Sequence, residues 1–156
     1  MKNAIGLDAS QSAQLAKLLA ELLADYSVFY QNVRGLHWNI KGEKFFELHL
    51  KFEELYNDIL LKIDEVAERI LTLGYSPDHT YSGYFGLSKI KESAKISDGR
   101  EGVKEVVISL SILMELQREI LALSGEIGDE GTNALMSDYI RAQEKMIWMY
   151  NSFLGQ

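Results

Sequence analysis

Apolar residues recur along this chain with the period of a helix, not of a strand. From about Ser10 to Asn39 the stripe is Leu15, Leu18, Leu19, Leu22, Tyr26, Phe29, Tyr30 and Val33, and Asp8 or Ser10 suits its N-cap. A second stripe, from about Glu43 to Leu73, holds Phe45, Phe52, Leu55, Tyr56, Ile59, Ile63, Val66 and Ile70. Gly74 follows where a helix-ending glycine belongs. A third helix is predicted from about Gly99 to Ser124, with Val103, Val106, Leu110, Leu113 and Ile120 inward. A fourth is predicted from near Thr132 or Asn133 to near Leu154. Pro77 is the only proline in 156 residues, which also favours helices.

Loop lengths order these helices. The short turn at Gly42 makes the first two antiparallel neighbours, and the third loop is equally short. The connection over residues 75–98 is long enough to travel the length of a bundle, and Gly83 to Lys91 suits one short helix within it. The expected fold is therefore all-α: a four-helix bundle with one long crossover, the ferritin-like arrangement. Periodicity alone also accommodates other helical bundles. No repeat, low-complexity tract or linker divides the chain, so residues 1–156 read as a single domain.

Charge and composition narrow the function. The net charge is −7, with only Lys2 against Asp8 in the first ten residues and no charge in the last eleven. An acidic chain without a basic tail is a poor ligand for a phosphate backbone, so DNA binding is not expected. Cysteine is absent, which excludes disulfides and thiolate metal sites. No apolar run nears the ~20 residues that span a bilayer, and no secretory h-region is evident at the start. A cytoplasmic location is the expectation.

The candidate chemistry lies in His37, His49, Asp64 and Glu68. Imidazole and carboxylate are ligands that ferrous iron accepts. Asp64 and Glu68 stand at i, i+4 and share a helix face, as do His49 and Glu53. His49 and Asp64 point within roughly 60° of each other, yet they are 15 residues apart in sequence, about 22 Å along the axis. One ion cannot bridge that gap. Two copies of the second helix, paired antiparallel about a two-fold axis near Tyr56 and Asn57, bring His49 of one beside the acids of the other and make two identical sites. The alternative is that Asp64 and Glu68 form ordinary salt bridges, with Lys62 or Arg69 the available cations.

The segments Leu36-His37-Trp38-Asn39, Phe45-Phe46-Glu47-Leu48-His49 and Asp64-Glu65-Val66-Ala67-Glu68-Arg69 together resemble the signature of the Dps proteins, or mini-ferritins, and the resemblance runs through Trp148. It implies a hollow dodecamer with a ferroxidase centre at each two-fold interface. His37 and His49 would come from one subunit, and Asp64 and Glu68 from its partner. Glu53 would support the site or a second iron, and Trp38 would stand next to the metal. The implied activity is oxidation of Fe(II) by hydrogen peroxide or oxygen, with ferric mineral stored inside. No Glu-x-x-His motif occurs, which argues against the intra-bundle di-iron site of other ferritin-like proteins.

The resemblance also implies acidic threefold pores near the start of the last helix. Asp129 and Glu130 are the candidates, Glu126 and Asp138 are weaker ones, and Ala134 stands where an acid is frequent. His79 reads as a surface residue. Trp148 with Met146, Met149 and Tyr150 reads as packing, and so do the tyrosines Tyr26, Tyr30 and Tyr56, for which electron relay or oxidation is the alternative.

Overall fold

The computed structural model describes all 156 residues. Five helices follow in order: α1 (Ala9–Asn39), α2 (Phe45–Thr72), α3 (Tyr81–Leu87), α4 (Gly99–Glu126) and α5 (Glu130–Phe153). The four long ones form the bundle and α3 rides on the crossover. The β-pairing is limited to two isolated bridges, Lys2 with Asp8 and Lys41 with Asp98. No helix is long and apolar enough to cross a membrane.

Contacts at the two ends fix the directions. At one end Asn3 Nδ2 donates to the Leu73 carbonyl, and Arg69 near the end of α2 meets Asp129 at the start of α5. At the other, Lys41 N–H donates to the Ser97 carbonyl, and Arg100 near the start of α4 donates to the Leu154 carbonyl after α5. Hence α1 and α5 run one way and α2 and α4 the other. The crossover carries the chain from one end to the other, as its length requires.

Local chemistry sets the boundaries. Asp8 caps α1 by accepting from Gln11 N–H at 3.0 Å. Gly74, at φ +96°, ends α2: its N–H reaches the Leu71 carbonyl and Tyr75 N–H reaches that of Ile70, the paired bonds of a Schellman turn. The short helix lies earlier than the sequence suggests. Thr80 caps it by accepting from Gly83 N–H, and it stops at Leu87 because Lys89 N–H turns to the Asp25 carboxylate and Ser88 Oγ bonds the Ile90 carbonyl. Likewise α5 starts at Glu130, before the expected Thr132, because Asp129 caps it through Thr132 N–H.

The core is built around α1, whose Leu15, Leu19, Leu22, Leu23, Tyr26, Phe29 and Val33 are all buried. Burying each such side chain contributes about 1.5–3 kcal/mol before entropy is counted. The bundle's centre also holds a closed polar ring. Tyr26 Oη donates to Gln117 Oε1, Gln117 Nε2 donates to Gln143 Oε1 at 2.7 Å, and Gln143 Nε2 returns to Tyr26 Oη at 2.6 Å. Each member is satisfied, as buried polar groups must be. No glutamate is buried anywhere in the chain, so the interior offers no di-iron carboxylate cage.

Candidate metal centre

The turn between α1 and α2 places His37 directly against His49. The two imidazoles stack with centroids 3.8 Å apart and planes 11° from parallel. Each ring is also tied to the other's main chain. His37 Nδ1 lies 2.6 Å from the His49 carbonyl, and His49 Nδ1 lies 2.7 Å from the His37 carbonyl. A carbonyl only accepts, so both Nδ1 atoms carry hydrogen. In the neutral rings both Nε2 atoms then present lone pairs, the form in which imidazole binds a metal.

Aromatic rings hold the pair in place. Phe45 stacks on His49 at 4.8 Å, and Tyr56 and His37 meet in a T-shaped contact at 5.3 Å. Tyr30 in turn meets Tyr56 at 5.9 Å and 82°. The signals for these contacts are visible in retrospect: Phe45 and Tyr56 stand one turn before and two turns after His49. Trp38 is not in the stack. It is 56% exposed, and the Arg34 guanidinium sits over its ring at 4.8 Å.

Asp64 and Glu68 lie further along the same helix, both exposed. The cations that might have neutralised them are engaged elsewhere. Lys62 pairs with Asp58 at 2.7 Å, and Arg69 pairs with Asp129 at 2.7 Å. Neither Asp64 nor Glu68 takes part in a salt bridge. Hydrogen bonding with Asp64, and then its like charge, hold the Glu68 carboxyl above the usual carboxylate range. A cation between the two would relieve that repulsion.

A single chain therefore holds two half-sites. Nowhere does it gather three or more histidines and carboxylates in reach of one ion. His49, Asp64 and Glu68 lie on one unpartnered face of α2. That face carries Phe46, Leu50, Leu60, Leu61 and Leu71, all exposed, around half-buried Glu53 and exposed Asn57.

The pore candidates separate. Asp129 is only 2% exposed and is committed three ways: to Arg69, to Thr132 N–H and to the Thr132 hydroxyl. It is a structural cap and not a lining acid, which corrects the sequence expectation. Glu130, Glu126, Asp138 and Ala134 are exposed at or near the same end, and His79 is exposed as expected. Tyr26 belongs to the buried ring described above. Met146, Met149 and Tyr150, with Phe153, Leu48 and Leu55, line a groove of about 350 Å³ between α2 and α5. Trp148 lies outside it and is exposed.

Residues 16–156 match the Ferritin-like domain model. A DNA protection during starvation protein of Porphyromonas gingivalis is 43% identical over 148 residues, covering 95% of this chain and 93% of its own. A Haemophilus influenzae protein is 54% identical over 151 residues, covering 97% and 94%. Among solved structures, a Dps protein from Vibrio cholerae O1, described as a member of a broad superfamily of ferritin-like diiron-carboxylate proteins, superposes with a TM-score of 0.97 at 59% identity, covering 98% of this chain and 96% of that one. A Dps protein from Bacillus brevis gives 0.91 at 33%, covering 95% and 99%. The fold, the two half-sites and these likenesses converge: the chain belongs to the Dps family of ferritin-like proteins.

Proposed function

We propose that this protein is a ferroxidase and iron store that protects against peroxide, with its metal centres built between two copies. The observation that carries this reading is the unpartnered face of α2, with an imidazole pair near one end and a cation-free carboxylate pair towards the other. Antiparallel pairing about Asn57 joins His37 and His49 of one subunit to Asp64 and Glu68 of the partner subunit. Exposed Leu50, Leu60 and Leu61 supply apolar surface for the contact, and an isologous interface makes the site twice.

Fe(II) is the substrate. The two Nε2 atoms and the carboxylates bind it, and Glu53, one turn from His49, is placed to hold a second ion. Hydrogen peroxide takes one electron from each of two Fe(II) ions, its O–O bond breaks, and two protons complete two waters. The ferric product is then stored inside a dodecameric shell in the cytoplasm. Trp38 is a bystander to the imidazoles within one chain, so any role at the metal requires the neighbouring subunit. The excess of 23 acids over 16 bases favours cation handling over DNA compaction.

The test loads metal-free protein anaerobically with Fe(II), then adds peroxide or air and follows ferric absorbance. Fast oxidation with peroxide and slow oxidation with air is the expected result. No acceleration over buffer with either oxidant overturns the reading.

A further inference from the structure

The crossover and α1 enclose a cavity of about 320 Å³ that shares no residue with the proposed metal centre. Three aromatic side chains of α3, Tyr81, Tyr84 and Phe85, line it together with Glu92, opposite Val28 and Gln31 of α1. We infer that this cavity is a binding site for a small organic ammonium ion of the quaternary kind that choline carries. The inference is independent of the ferroxidase reading.

Local patterns build the walls. Tyr81, Tyr84 and Phe85 stand at i, i+3 and i+4, so one turn of α3 presents all three on one side. Thr80 caps that turn by accepting from Gly83 N–H at 3.1 Å, and Tyr84 Oη donates to the Asp78 carbonyl at 2.9 Å. Glu92 is placed from the opposite direction. Asn32 on α1 donates through Nδ2 to the Lys91 carbonyl at 2.8 Å and accepts at Oδ1 from Ser93 N–H at 3.0 Å. One amide thus pins both neighbours of Glu92 and fixes where its side chain starts.

Chemistry selects the ligand. A cation over an aromatic face is attracted by the ring quadrupole, and a cage of rings is how proteins recognise quaternary ammonium groups. None of the three rings stacks on another aromatic ring, and no lysine or arginine lies over one. Tyr81 and Phe85 are 80% and 50% exposed, which is apolar surface for a ligand to cover. Glu92 is the one charged residue lining the cavity, and it makes no salt bridge although Lys91 and Lys95 stand close to it in sequence. An anion would meet that unneutralised carboxylate. A compact metal ion would find a single carboxylate and no imidazole. A trimethylammonium group satisfies both features, since its surface is apolar and its charge is positive. Gln31 Oε1 accepts from Arg34 Nη1 at 3.3 Å, which leaves its amide N–H groups for an oxygen on the ligand's short tail.

The experiment titrates choline chloride into the assembled protein by calorimetry at constant ionic strength, beside its neutral carbon isostere, in which tert-butyl replaces trimethylammonium. The expected result is saturable binding of choline and no measurable binding of the isostere. Glu92→Gln and Tyr81→Ala are each expected to raise the Kd at least about fivefold. Glu115→Gln, which removes an exposed acid on α4, should leave it unchanged. Saturation-transfer NMR of the unaltered protein gives the same answer without asking a variant to fold. Irradiating aromatic protons should attenuate the trimethyl signal, and deuterated tyrosine and phenylalanine rings should abolish the effect. Equal binding of the isostere makes the cavity simply apolar and overturns the inference. An unchanged Kd in Glu92→Gln or Tyr81→Ala does the same, as does an equal loss in Glu115→Gln, which would mark general attraction to an acidic surface. Absence of choline binding, as when a neighbouring subunit fills the cavity, also overturns it.

Discussion

His37 and His49 each donate Nδ1–H to the other's main-chain carbonyl, at 2.6 and 2.7 Å. The pair thus staples the end of α1 to the start of α2 and sets the tautomer of both rings in one arrangement. Replacing either side chain removes a proposed ligand and a staple together. His49→Ala is expected to lose Fe(II) binding at the centre and to lower stability by about 1–3 kcal/mol, the range for a deleted hydrogen bond whose partner is left partly buried. Calorimetric iron titration and urea unfolding of the same variant read the two effects separately.

The acids carry no structural bond to a cation, so their removal should be structurally mild. Asp64→Asn with Glu68→Gln is expected to preserve assembly and unfolding midpoint while abolishing fast iron oxidation. Relieving the repulsion that raises Glu68 also predicts that the double variant unfolds no more easily than the parent at neutral pH. Light scattering and stopped-flow absorbance on one preparation are sufficient, and unchanged oxidation rates would remove these residues from the centre.

Arg69 and Asp129 make a different kind of pair. Asp129 is buried, and it caps α5 while the guanidinium lies over Gly131, where an added Cβ would come within 2.8 Å of Nη1. Arg69→Ala strands a buried carboxylate and is expected to cost about 3–5 kcal/mol. Asp129→Asn keeps part of the cap and should cost less. Thermal unfolding ranks the two, and the predicted order is Arg69→Ala well below Asp129→Asn.

Asp25 supplies the pH dependence. It is 1% exposed, its Oδ1 accepts from Lys89 N–H and Ser88 Oγ, and its Oδ2 has no partner. Burial pushes this carboxyl above its ordinary value, against the hydrogen bonds that lower it. The folded chain therefore holds the proton more tightly than the unfolded one. The stability so gained is full below the unfolded value of about 3.9 and fades as pH rises through the raised folded value. Asp25→Asn should flatten that decline, so its stability relative to the parent should improve from acid to neutral pH. Urea midpoints measured across that range check the sign.

Much of this was legible in the residues. The period of 3.6 located four long helices, loop lengths gave their directions, and the 15-residue gap between His49 and Asp64 showed that one chain could not close the site. Helix periodicity reveals which face a residue occupies but not how far a neighbouring helix slides along it. The His37–His49 stack depends on that register, since the two stand twelve positions apart in sequence on either side of a turn. Asp129 was misjudged for a similar reason: an acid at a helix start looks solvated until Arg69, sixty residues earlier, is brought against it by the bundle. The end of α3 was set by Asp25, also far away in sequence.

The closed ring of Tyr26, Gln117 and Gln143 has a consequence for how iron and folding are related. Proteins that bury their metal ligands at the centre of a bundle need the ion to neutralise them, so chelation threatens the fold. Here the centre is already satisfied by neutral side chains, and the prospective iron ligands sit on an outer helix face. Loading and folding become separate events. The bundle needs no ion to keep its centre satisfied, and a chelated sample should keep its helical circular dichroism and its melting profile.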